Sequence, residues 1–288
     1  MLRKLYVHEF KALLRWLVFV WVGIVAIAII NRLMNAVMDL YIESNYPSGE
    51  LSSFAPHELQ GYKFLTALST SLTVLYALAT VAGLLITFGL VIVRFYKNLF
   101  TSEGYFTFSI PVSANQHLWC KLICGGVAIM ASLAVCALSL TINFLFTDVG
   151  KSIVQLFYEI RTSIKIDMRI HLFLYAGETI LILIASILVT NLTAYCSISF
   201  GQSFKNKIGG SVISYIIIKM ILNCATTFLT FFFGLGGTIL SFITNLDALA
   251  PELIIHLFLL ISLLIQVILG AVFFLITSIR TSKKLNLE

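Results

Sequence analysis

The sequence predicts an all-α polytopic membrane protein with six transmembrane helices, an N-terminal amphipathic interfacial helix and both termini cytoplasmic. Three observations predict it. Hydrophobic residues make up 59% of the 288 positions and charged residues only 11%, less than half of the ~25% found in soluble domains. Mean hydropathy is +1.00. The apolar residues also gather into six runs, 17–37, 65–93, 122–146, 172–198, 208–233 and 253–278, each long enough to cross a hydrocarbon layer about 30 Å thick as a helix. Lipid offers backbone groups no partner and no alternating barrel pattern occurs, so helices are the spanning structure that remains. Residues 1–288 therefore read as a single transmembrane domain.

In chain order, residues 1–16 come first. Leu2, Leu5, Tyr6, Phe10, Leu13, Leu14 and Leu17 recur at helical spacing, with Arg3, Lys4, His8, Lys11 and Arg15 around much of the rest. The basic stretch is too long for a signal peptide. It predicts an amphipathic helix on the cytoplasmic membrane surface, its cations among anionic headgroups; a plain extension of the first span fits the same pattern. Charge placement orients the spans. With both termini inside, the inner segments hold twelve Lys and Arg and the outer segments five, Lys63, Lys151, Arg161, Lys165 and Arg169, together with most of the acids. Four of those five outer cations fall in 147–171, where Ile153, Leu156, Phe157, Ile160 and Ile164 form a helical stripe. That pattern predicts an amphipathic helix on the outer surface. The last connection, 234–252, is unusually apolar for a loop.

Much chemistry is excluded. The five cysteines, at 120, 124, 136, 196 and 224, form no C-x-x-C pair and read as apolar thiols rather than a disulfide framework or a zinc site. A net charge of +6 in so apolar a chain points to topology and lipid headgroups, not nucleic acid. No P-loop occurs, so the chain cannot cradle a nucleotide by itself, and "HEFKA" and "HELQG" lack the second histidine of a zinc-protease helix. No enzyme, metal or directly bound cofactor is expected. Ionisable residues inside spans stand out because burying them is costly. Arg32 is near enough to a span end to snorkel. Glu178 and Lys219 lie at similar depth in the fourth and fifth spans, and could form either a polar element of a substrate path or a structural ion pair. Gly83, Gly89, Gly125, Gly126, Gly209 and Gly210 permit close helix contacts without identifying a dimer face.

The polar interruption at 94–121 is the most informative. Ser113 and Gln116, directly after Pro111, are spaced as a capping box, so a helix should start near Ala114 and run into the third span. Gly104 should break the helix leaving the second. Between these stops Tyr105, Phe106, Phe108 and Ile110 form an apolar cluster, which on a water-facing segment marks a partner or the membrane interface.

Glu103-Gly104, the aromatic run to Ile110, Pro111-Val112-Ser113 and Lys121-Leu122 resemble the loop between spans two and three in permease subunits of type-2 ABC exporters. The surrounding wording resembles a small-permease branch of Gram-positive bacteria. That resemblance implies six spans, a dimer of this chain with itself or a sister permease, and a bacterial plasma-membrane location. It further implies a coupling helix in which Glu103, Gly104, Tyr105, Phe106, Phe108, Ile110 and Pro111 dock on a separate ATP-binding subunit. ATP and Mg would act through that subunit, and the substrate would be a peptide, antimicrobial or lipid-like molecule. An ion-gradient-driven secondary transporter with Glu178 as proton carrier, and a non-transporting immunity or sensory membrane protein, are the alternative readings.

Overall fold

The computed structural model describes residues 2–45, 60–109, 112–144, 147–163, 166–244 and 251–283. Among them are eight helices and no strand: α1 (Leu2–Asn45), α2 (Gln60–Phe100), α3 (Glu103–Ser109), α4 (Ala114–Phe144), α5 (Asp148–Ser163), α6 (Ile166–Gly201), α7 (Lys207–Thr244) and α8 (Pro251–Lys283). Six of the eight, all but α3 and α5, are long and apolar enough to cross a membrane. This is the make-up of a multi-pass helical membrane protein.

Three expectations need correction. The amphipathic N-terminus is not a separate helix: α1 runs unbroken for 44 residues, about 66 Å at 1.5 Å per residue and twice a hydrocarbon layer. The change in hydropathy near residue 17 is not a structural break, because no Gly or Pro precedes Gly23. Its faces are as expected, with Arg3, Lys4, His8, Lys11 and Arg15 exposed and Leu13 and Leu17 buried. The connection read as beginning at 234 is also partly helical, since α7 continues to Thr244; 245–250 lie outside the described residues. Similarly, 166–171 belong to α6, so α5 is shorter than the 147–171 stripe.

The chain divides into two compact units. One comprises 10–90 and 128–163. In it a ladder of polar side chains joins α1, α2 and α4. Asn31 Nδ2 donates to Asn143 Oδ1 (2.7 Å) and Thr73 to Asn31 Oδ1 (3.1 Å); Tyr76 and Ser139 share a bond of 2.8 Å; Trp21 Nε1 donates to Ser132 (2.8 Å), which also meets Thr87 (3.1 Å). In hydrocarbon, where apolar surface gives little drive for helices to associate, such bonds and close packing hold them together.

The other unit comprises 1–9, 91–127 and 164–288. Its hub is the second half of α6, where every residue from Asn191 to Ser199 is buried. The ring of Tyr195 stacks on Phe95 of α2 at 3.8 Å between centroids and 10° between planes. Its hydroxyl donates to the Lys121 carbonyl of α4 at 3.3 Å. A Cβ on Gly125 would lie 2.7 Å from Val91 Cγ1 and 3.1 Å from that hydroxyl, so glycine is what lets α2, α4 and α6 meet this closely. α6 also packs against α7 and α8.

Candidate functional site

The 94–121 loop folds from local signals. α2 ends at Phe100, slightly earlier than Gly104 suggested, because Thr101 turns its hydroxyl onto the Lys97 carbonyl and its own carbonyl accepts from Gly104 N (2.8 Å). Such side-chain bonds compete with helix continuation. The seven-residue helix α3 follows, with Glu103 in its first turn, favourable for the helix dipole. The capping box is formed in both directions: Gln116 N donates to Ser113 Oγ (3.4 Å), and Ser113 N to Gln116 Oε1 (3.2 Å). It starts α4 at Ala114. Of the residues singled out for docking, Glu103 and Tyr105 are exposed and Gly104 is buried. The side chains of Phe106 and Phe108, and the whole of Ile110 and Pro111, lie outside the described residues.

Both limbs of this loop are tied together by a residue that sequence reasoning passed over. Glu9 of α1 accepts from Arg94 Nε at 2.8 Å through Oε2; through Oε1 it accepts from Asn98 Nδ2 at 3.0 Å and Lys121 Nζ at 3.1 Å. Arg94 and Asn98 are one turn apart at the end of α2, and Lys121 is two turns into α4. The side chains of Glu9 and Lys121 are 9% and 5% exposed. One carboxylate thus faces two cations and an amide away from bulk water, where charge-assisted bonds are short and strong. His117, one turn before Lys121, is buried beside this stretch of α4, and Cys124 Sγ lies 3.8 Å from the Tyr6 carbonyl of α1. A signal for Glu9 did exist. It is the only acid before Asp39, and Leu5, Glu9 and Leu13 are spaced i, i+4, i+8, which sets a carboxylate in the apolar stripe of a basic helix.

The two intramembrane candidates do not meet. Glu178 instead takes His256 of α8, whose Nδ1 lies 2.9 and 3.0 Å from its two oxygens. The other nitrogen of His256, Nε2, is 3.1 Å from His171 Nδ1. The Tyr175 ring stacks on His256 at 4.3 Å. The result is a carboxylate–imidazole–imidazole chain joining the starts of α6 and α8. Lys219 has its ammonium 5.9 Å from the centre of its own helix's Tyr215 ring, a cation–π distance. Arg32 reaches along α1 to within 3.9 Å of Asp39, in keeping with snorkelling. All five cysteines are free thiols, four of them buried. No group of three or more His, Cys, Asp or Glu is placed to hold a metal among the described residues.

Compared with known proteins, the chain matches no family model, no curated protein and no solved structure.

Proposed function

We propose that this chain is the transmembrane permease subunit of an ATP-driven ABC transporter in a bacterial plasma membrane. It works as a pair of permeases with separate ATP-binding subunits and exports a peptide, antimicrobial or lipid-like substrate. The observation that carries the reading is the Glu9 clamp around the α3 loop. A partner that moves α3 must move the ends of α2 and α4, and Glu9 binds both of those ends to α1. A displacement at the loop is therefore passed to three spanning helices together instead of being absorbed in its flanks, as switching between two packings of a bundle requires. The chain's own part is to receive and distribute that displacement. Nucleotide chemistry belongs to the partner.

The test is purification of tagged protein in mild detergent, with mass spectrometry of what accompanies it. Wild type is expected to bring down a P-loop ATPase. Phe106→Asp with Phe108→Asp, which puts charge into the apolar docking run, is expected to lose it while the spans stay folded. Recovery of the ATPase by both proteins would remove the loop from the interface, and recovery by neither would remove the ABC reading.

One observation favours a second reading, the gradient-driven carrier: Glu178, His256 and His171 form a hydrogen-bonded chain of the kind that relays protons in membranes. It requires proton flux in liposomes holding this chain alone, abolished by Glu178→Gln; liposomes no leakier than empty ones would dismiss it.

A further inference from the structure

The start of α5 is bonded to the end of α4. The N–H and the hydroxyl of Thr147 both donate to the Phe144 carbonyl, at 3.1 and 2.8 Å. In turn the N–H of Gly150 donates to Thr147 Oγ1 at 3.1 Å, and that of Lys151 to the Thr147 carbonyl at 2.9 Å. A Cβ on residue 150 would lie 2.1 Å from the Phe144 oxygen, so only glycine fits and the start of α5 is pressed onto the end of α4. Between the two helices lies an open groove of about 820 Å³ with walls of Leu140 and Phe144 on one side and Ile153, Val154 and Tyr158 on the other, and Lys151 among its lining residues.

What fills it follows from its chemistry and its place. α4 is long and apolar enough to cross a membrane, which puts its end where hydrocarbon gives way to headgroups, and α5 is an amphipathic helix leaving from that level. Ile153 is 45% exposed and Val154 69% exposed, which in water would leave the apolar wall of the groove uncovered. Lys151, Val154, Gln155 and Tyr158 are spaced i, i+3, i+4, i+7, so one face of α5 offers a cation, an apolar wall and a phenol. Four of the five Lys and Arg that the six-span topology puts on this membrane face also fall in 147–171, against the usual charge bias. That is accounted for if they serve anionic headgroups.

We propose that the α4–α5 groove is a binding site for an anionic membrane lipid, whose acyl chain lies between Phe144 and Val154 and whose headgroup meets Lys151. The site is independent of the transport reading.

The test uses the full chain in mixed micelles with phosphatidylglycerol and phosphatidylcholine of identical acyl chains, followed by native mass spectrometry of the lipid retained after stripping. Wild type should retain phosphatidylglycerol over phosphatidylcholine by about fivefold, the worth of one cation near an anionic surface. Lys151→Gln should erase that preference while acyl binding persists, and Val154→Glu should abolish retention of both lipids. Both side chains are exposed, so neither change threatens the fold. Equal retention of the two lipids by wild type, or retention unaltered in Val154→Glu, would overturn the proposal. So would a lipid-free dimer that Val154→Glu splits into monomers, because a second copy would then be the occupant.

Discussion

Glu9→Ala is expected to be the most damaging single change to the folded chain, costing about 3–5 kcal/mol, because it leaves two buried or half-buried cations facing each other without their shared anion. Lys121 is nearly sealed from solvent and Arg94 is a quarter exposed. Lys121→Met should cost less than Glu9→Ala, since Glu9 keeps Arg94 and Asn98 and the pocket loses its excess positive charge. Combining Glu9→Ala with Lys121→Met should recover part of the loss, since the two side chains share one contact and cannot act additively. Thermal unfolding in detergent, followed on the four proteins of this cycle, measures the interaction directly. Losses that simply add, or a Glu9→Ala chain as stable as wild type, would mean the carboxylate does not join the three helices. On the proposed transport reading, Glu9→Ala and Lys121→Met chains that still fold should both leave a bound ATPase running idle, because each loses the tie between α4 and Glu9.

How far the sequence foretold this architecture depends on how local each cause is. The Ser113–Gln116 box and the helix starting at Ala114 were legible because donors, acceptors and breakers all lie within a few residues. The spans were legible because a hydrocarbon layer selects on length and apolarity alone. The hydropathy change at residue 17 reports composition and carries no information on whether the helix bends there. Glu9 went unread as a site because its partners lie 85, 89 and 112 positions away, and only packing brings them together. The same holds for Asn31 and Asn143, 112 positions apart. Matching depths made Glu178 and Lys219 plausible partners, but depth is one coordinate of three. The rotation of each helix and the identity of its neighbour decide the rest, and α8 presents His256 to Glu178.

That choice of partner sets the second large effect. His256→Phe should cost about 1–3 kcal/mol, the desolvation of a group left unsatisfied and more than the bare loss of a bond, because the Glu178 carboxylate, only 19% exposed, loses its donor among the described residues. His171 loses its partner in the same step. Glu178→Gln should be milder: the amide oxygen can still accept from His256 Nδ1, and no charge is left behind. Pairing His256→Phe with Glu178→Leu should therefore recover part of what His256→Phe alone loses, since an apolar pair packs beside Tyr175 with no stranded carboxylate. Lys219→Met serves as the control, because it touches neither residue and should leave the cycle unchanged. Unfolding of these variants in one detergent decides the matter. Additive losses would show that the α6–α8 contact does not depend on the pair, whereas a cycle altered by Lys219→Met would return Lys219 to Glu178 as its partner. A recovered double variant that also transports at the wild-type rate would make the cluster a structural tie between α6 and α8. If it is stable but inactive, the polar chain itself serves transport.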